Sequence, residues 1–216
     1  LEPGGRGGEN LAEHFGKLTA DCKALGCKLL RIGMMPIPYM GSRDEALAFT
    51  RRAEAAAERL AGGGIDLYYH NHHVEFTKYD GETLLELIRK NTRRLGFELD
   101  VHWIQRGGGN PVEVIRRFSG RVRLLHLKDY RVAPFRLPEG GAGQGDFMTA
   151  FTSNVQFAEI GEGTLPMKEI IEAGLQSGSE YFLIEPDDTY GADPFDCLAV
   201  SRDNLMAMGF GGWFEP

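Results

Sequence analysis

Seven residues of this 216-residue chain could do chemistry together: His70, His72, Asp100, His102, His126, Lys128 and Glu185. They fall in four clusters far apart in sequence, each at the end of an apolar run: DLYYHNH (66–72), GFELDV (96–101), RVRLLHLK (121–128) and YFLIE (181–185). His70 with His72, Asp100 with His102, His126, and Glu185 are candidate metal donors, nitrogen and oxygen only, with no thiolate. Such a set suits one Mn²⁺, Mg²⁺, Co²⁺ or Zn²⁺ ion rather than a structural zinc site. Each residue alone has a plainer use: a strand-end histidine can bond a carbonyl, and Asp100 can hold a neighbouring loop. Four such ends on one side of a sheet are hard to ascribe to coincidence.

Strand parity sharpens the set. Residues two apart share a face, so His70 and His72 point one way and Asn71 the other. His126 and Lys128 also share a face, and Lys128 should project toward whatever His126 binds. His73 has the opposite parity and is expected to be structural. His14 is expected to face solvent, and Glu75 to bond the rim of the barrel.

The elements that must position these residues follow from periodicity. Strands are predicted over 28–34, 66–72, 96–101, 121–128, 157–160 and 181–185. Helices are predicted over 10–25, 42–60, 80–90, 110–118, 166–177 and 194–208, with Ser42 and Glu45 forming a capping box and Pro111 in a first turn. Residues 131–153 are Gly- and Pro-rich and read as irregular. GGAGQG (140–145) follows no strand and opens no clear helix, so it is not read as a dinucleotide loop. Alternating strands and helices predict a parallel sheet with helices outside, and the apolar strand cores predict cover on both faces. In parallel barrels the chemistry lies at the C-terminal strand ends. Six strands are counted, a closed (β/α)8 barrel needs eight, and the chain opens on a helix. The expectation is one domain, residues 1–216, of a TIM (β/α)8-type barrel lacking its first two βα units. Apolar surface bared in this way would favour a homo-oligomer.

Composition excludes some functions. The chain is 42% hydrophobic and 25% charged, an ordinary globular balance. A net charge of -7 speaks against nucleic acid or anionic membranes as partners. No apolar run approaches the roughly 18 residues that span a bilayer, and the Gly-rich start lacks an apolar signal core. Cys22, Cys27 and Cys197 form no CxxC pair; they read as small buried hydrophobes of a cytoplasmic protein that meets small molecules.

Five stretches, YHNHHVEF (69–76), GFELDVHW (96–103), RVRLLHLKD (121–129), AEIGEGTLPMKEII (158–171) and YFLIEPDD (181–188), resemble the sugar phosphate isomerase/epimerase family in order and spacing. That family has the xylose isomerase-like barrel, and the resemblance covers almost the whole chain. It implies one divalent metal ion held by a Glu, an Asp, a His and a second Glu from four strands. Asp100 matches the Asp, His126 the His and Glu185 the second Glu, while His70 stands where the first Glu would be. The implied ligands are therefore His70, Asp100, His126 and Glu185, with His72 facing a sugar substrate.

In relatives with two Glu ligands, these also act as opposed proton acceptor and donor. With His70 in place of one, either His70 or His72 takes that role, or the reaction is a one-base elimination. Related sequences include inosose dehydratase-like lyases and enzymes acting on 3-keto sugars. Glu185 is the first candidate base and His72 its counterpart; Lys128 and His102 are placed on the substrate. The expected reaction is isomerisation or epimerisation of a sugar-derived hydroxy-ketone by proton transfer next to a carbonyl. The alternatives are dehydration of an inosose or 3-keto sugar, and a sugar-binding relic without chemistry. An endonuclease of the same fold would want more metal ligands and a basic surface.

Overall fold

A computed structural model describes residues 9–135 and 144–215. Helix α1 (Phe15–Ala24) leads into strand β1 (Leu29–Ile32). Helix α2 (Arg43–Ala61) starts at Ser42, whose Oγ accepts from the Glu45 N–H at 3.3 Å and donates to the Glu45 carboxylate at 2.9 Å. Its buried stripe of Ala46, Phe49, Ala53, Ala57 and Leu60 packs on the sheet. Strand β2 (Asp66–His70) follows.

A short hairpin, β3 (Lys78–Tyr79) and β4 (Glu82–Thr83), then replaces the first turn of the helix predicted over 80–90. It turns at Asp80 and Gly81, whose φ angles are 52° and 85°, and Asp-Gly is a favoured pair where both turn residues need positive φ. Helix α3 (Leu84–Lys90) begins only after Thr83 caps it.

Strand β5 (Gly96–Asp100) runs directly into helix α4 (Val101–Arg106), which the hydrophobic pattern did not announce. Asp100 ends the strand because its carboxylate caps the helix, accepting from the Trp103 N–H at 3.1 Å. Helix α5 (Pro111–Arg117), strand β6 (Val122–Leu127), strand β7 (Asp129–Val132), helix α6 (Gln144–Ser153) and strand β8 (Val155–Ala158) follow. Helix α7 (Met167–Gln176), strand β9 (Tyr181–Ile184) and helix α8 (Pro194–Leu205) complete the alternation.

The main sheet is parallel and curled, in the order β1-β2-β5-β6-β9. Its outer residues, among them Leu67, Tyr69, Phe97, Leu99, Leu125 and Leu127, form the core with the helices. Its inner face carries Arg31, Tyr68, His70, Glu98, Asp100 and His126. Tyr181 and Leu183, on the inner face of edge strand β9, are exposed.

Three expectations are corrected. The strand expected near 157–160 is β8, which pairs antiparallel with β7 in a separate ribbon, so the described residues supply five barrel strands rather than six. Residues 131–153 are not wholly irregular, since they include the end of β7 and all of α6. Cys27 is exposed, although Cys22 and Cys197 are buried. The start of the chain to residue 8, and the first four residues of GGAGQG (140–143), lie outside the described residues, while its last two open α6, against the expectation that the motif opens no helix. No helix among the described residues is long and apolar enough to cross a membrane.

Candidate metal centre

The parallel register brings three strand ends together. Asp100 on β5 lies opposite His126 on β6, and His70 ends the adjoining β2. His70 Nε2 is 3.1 Å from His126 Nδ1, and Asp100 Oδ2 is 3.4 Å from the first and 3.5 Å from the second. All three side chains are buried. His70 Nδ1 faces the Gly33 carbonyl at 3.2 Å; a carbonyl only accepts, so the neutral ring keeps its proton there and turns a lone pair toward the centre. Asn71, on the opposite parity, accepts from the Asp100 N–H at 3.0 Å and fixes the strand end.

These three residues fit a divalent cation. Asp100 Oδ2 is buried and has no hydrogen-bond partner, although three nitrogens surround it. Donors sharing one ion at about 2.0–2.2 Å stand roughly 3.0–3.5 Å apart, which is the spacing seen here.

Lys128 completes the electrostatics. Its Nζ lies 3.1 Å from Asp100 Oδ2, 3.3 Å from Glu185 Oε2 and 2.9 Å from Asp187 Oδ2. Burial lowers its pKa, but the carboxylates of Asp100, Asp187 and Glu185 outweigh this and leave it raised, so the ammonium stays charged. Burial disfavours the charged Asp100, yet His126, His70 and Lys128 together hold its carboxyl well below the usual range. Glu185 is different: its side chain is 47% exposed, and its Oε2 sits 3.2 Å from His126 Nδ1. There too burial opposes charge, and Lys128 and His126 prevail, so the pKa is lowered. His72 is pushed down to about 4 by burial and then by His70, which leaves it neutral near pH 7. Its ring packs edge-on against His70 at 4.8 Å, and its buried Nδ1 has no partner.

A family model described as the xylose isomerase-like TIM barrel matches residues 3–200. The chain belongs to the xylose isomerase-like TIM barrel family. Among curated proteins, the rhizopine catabolism protein MocC of Rhizobium meliloti is 27% identical over 176 residues, covering 80% of this chain and 52% of that protein. An inosose dehydratase of Lacticaseibacillus casei is 23% identical over 166 residues, covering 76% and 55%. The chain thus spans about half the length of these relatives. A crystal structure of a sugar phosphate isomerase/epimerase from Parabacteroides distasonis superposes with a TM-score of 0.69 at 25% identity, covering 90% of this chain and 64% of that one. Two further solved structures share the fold at 14% identity. The IolI protein, which holds a zinc atom, has a TM-score of 0.59 and covers 92% of this chain and 68% of its own. A magnesium complex from Mycobacterium smegmatis has a TM-score of 0.61, covering 94% and 70%.

Within this family barrel, not every predicted site residue joins the cluster. His70, Asp100 and His126 converge, Glu185 stands beside them through His126 and Lys128, and His72 flanks His70. His102 is on α4, not at a strand end. It is fully buried, stacks on Phe157 at 4.3 Å and places Nδ1 2.9 Å from the Asp129 carbonyl. Glu75 is buried and bonds the end of β2, accepting from the Tyr69 hydroxyl at 2.6 Å and from the His72 N–H at 2.7 Å. His73 is exposed and packs on Trp103. His14 is half-buried at the start of α1, where its Nδ1 accepts from the Asn10 N–H at 3.3 Å.

Sequence reading also missed four residues. Glu98, two before Asp100 and so on the same face, is buried and contacts both Arg31 and His126. Asp187 was passed over in the IEPDD stretch. Asp129 is buried and accepts from the N–H groups of Gly161, Gly163 and Leu165 at 3.0–3.1 Å, tying the EIGEG loop to the end of β6. Gly163 has to be glycine, because a Cβ there would run into the Asp129 carboxylate.

Proposed function

We propose that this chain carries the metal centre and the base of a metal-dependent sugar isomerase or epimerase acting on a sugar-derived hydroxy-ketone. The observation that carries this reading is the convergence of His70 Nε2, Asp100 Oδ2 and His126 Nδ1 beside the Glu185–Lys128 pair. His70, Asp100 and His126 would hold the ion, and Glu185 is near enough to His126 to join them. Bound there, a divalent ion supplies Lewis-acid polarisation of a substrate carbonyl and its neighbouring hydroxyl.

Glu185, half exposed and with its pKa lowered, is ionised and open to substrate; it takes the proton from the carbon next to the carbonyl. The charged Lys128 stabilises negative charge growing on a substrate oxygen. His72, neutral and with an unpartnered Nδ1, exchanges a proton on the other side. His102, fully buried, supports Trp103 and Phe157 from behind rather than touching substrate. Return of the proton to the second carbon completes isomerisation, and return to the opposite face completes epimerisation.

One observation favours dehydration as a second reading. Glu185 and Lys128 form a base and a charged acid 3.3 Å apart, able to remove a proton and protonate a departing β-hydroxyl. The name of the inosose dehydratase relative agrees with it. Exchange of a substrate C–H with solvent deuterium tests what both outcomes share. Turnover with neither exchange nor a primary isotope effect at that carbon would refute the mechanism. A sugar-binding relic would purify without stoichiometric metal.

A further inference from the structure

Glu98 lies on β5 two residues before Asp100, on the inner face of the sheet, and is buried. Its Oε1 is 3.1 Å from His126 Nε2 and 2.9 Å from Arg31 Nη1. The His126 ring therefore spans two acidic residues of one strand. Nε2 faces Glu98, and Nδ1 faces Asp100 Oδ2 at 3.5 Å and His70 Nε2 at 3.1 Å. A neutral imidazole has one N–H and one lone pair, and a carboxylate oxygen can only accept.

Three carboxylates compete for that single proton. Glu185 Oε2 and Asp100 Oδ2 stand 3.2 and 3.5 Å from Nδ1, while Glu98 Oε1 stands 3.1 Å from Nε2. The first two already share the Lys128 ammonium, at 3.3 and 3.1 Å. Glu98 and Glu185 are also held differently. Glu98 is buried and pinned by Arg31, so turning away would cost it a charged hydrogen bond. The Glu185 side chain is half exposed and can solvate its charge instead.

We propose that Glu98 is a positioning residue that keeps the proton of neutral His126 on Nε2, so that Nδ1 enters the His70–Asp100 cluster as a lone pair. With the Gly33 carbonyl holding the His70 proton on Nδ1, the facing nitrogens of the two rings, 3.1 Å apart, are both acceptors, and a cation between them relieves the contact of their lone pairs. Outer partners of this kind orient histidine ligands and raise their basicity. The consequence for ion affinity rests on the metal centre proposed above; the ring tautomer does not.

The test is the ¹⁵N spectrum of ring-labelled histidines in the metal-free chain, in alkaline buffer, paired with calorimetric titration of Zn²⁺ and Mn²⁺. In the wild type the Nε2–H form of His126 should dominate. Glu98→Leu should lose that dominance and weaken ion binding by roughly 10–100-fold. Glu98→Gln, which keeps a carbonyl oxygen for both donors, should retain the tautomer and bind more tightly than Glu98→Leu. An Nδ1–H form in the wild type would overturn the proposal, even if Glu98→Leu fails to fold. So would a Glu98→Leu variant with the wild-type tautomer and affinity. A wild type that binds neither ion, yet shows an Nε2–H form lost in Glu98→Leu, would refute the metal centre and uphold Glu98.

Discussion

The ends of β2, β5 and β6 and the end of β9 meet at one site but are built in opposite ways. His70, Asp100 and His126 are buried, and each is fixed by a second partner: the Gly33 carbonyl, the Trp103 N–H at the start of α4, and Glu98. Glu185 and Asp187, beyond β9, have side chains 47% and 36% exposed and share Lys128 as a charged partner. The difference teaches which tasks each half can perform. An ion needs donors whose positions are set in advance, since a flexible set spends affinity on ordering itself. A group that removes a proton must reach substrate and remain open to it.

If the buried half holds the ion, Asp100→Ala should be the most damaging single change. It removes a donor, the cap of α4 and the nearest buried counter-charge of Lys128. We expect ion binding too weak to measure by calorimetry and stability lowered by about 3–5 kcal/mol in denaturant melts. Wild-type affinity in that variant would erase the distinction between the halves.

Glu185→Gln should act on turnover instead. Losing a general base costs roughly 100-fold or more in kcat, while a half-exposed side chain should change stability by no more than about 1 kcal/mol. Equal loss of ion affinity and turnover would move Glu185 into the ion-holding half. Full activity would point to His72 as the base.

Acid should weaken the buried half through His72. Its folded pKa of about 4 lies below the ordinary histidine value, so its contribution is present above about pH 6.5 and fades as pH falls toward 4. Denaturant melts of the metal-free chain should lose about 1–3 kcal/mol across that window, an effect absent in His72→Gln. An unchanged slope in the variant would remove His72 from the balance. The mildest effect is expected from Asp187→Asn, which loosens Lys128 without touching the buried donors. Turnover should fall a few-fold, on the order of 1 kcal/mol, with ion affinity unchanged.

Strand periodicity was enough to foresee that His70, Asp100 and His126 converge. All five barrel strands end within a few residues of their predicted limits, because the outward-facing apolar residues that pack under the helices mark each run. Parity placed Lys128 with His126, and His72 beside His70. What escaped depends on partners distant in sequence. Glu98 becomes meaningful only when Arg31 and His126 arrive from neighbouring strands, although its spacing of two from Asp100 was a usable signal. The β7–β8 ribbon was hidden because its strands are separated by a long segment, so a short apolar run looked like a barrel strand. His102 was misplaced because Asp100 both ends a strand and starts a helix, which hydrophobic pattern cannot reveal.

The convergent metal centre is tested most directly by anomalous diffraction from crystals grown with Zn²⁺ or Mn²⁺. One strong peak should lie within about 2.0–2.3 Å of His70 Nε2, Asp100 Oδ2 and His126 Nδ1. A peak bound elsewhere, or none at saturating metal with these three side chains in place, would contradict it.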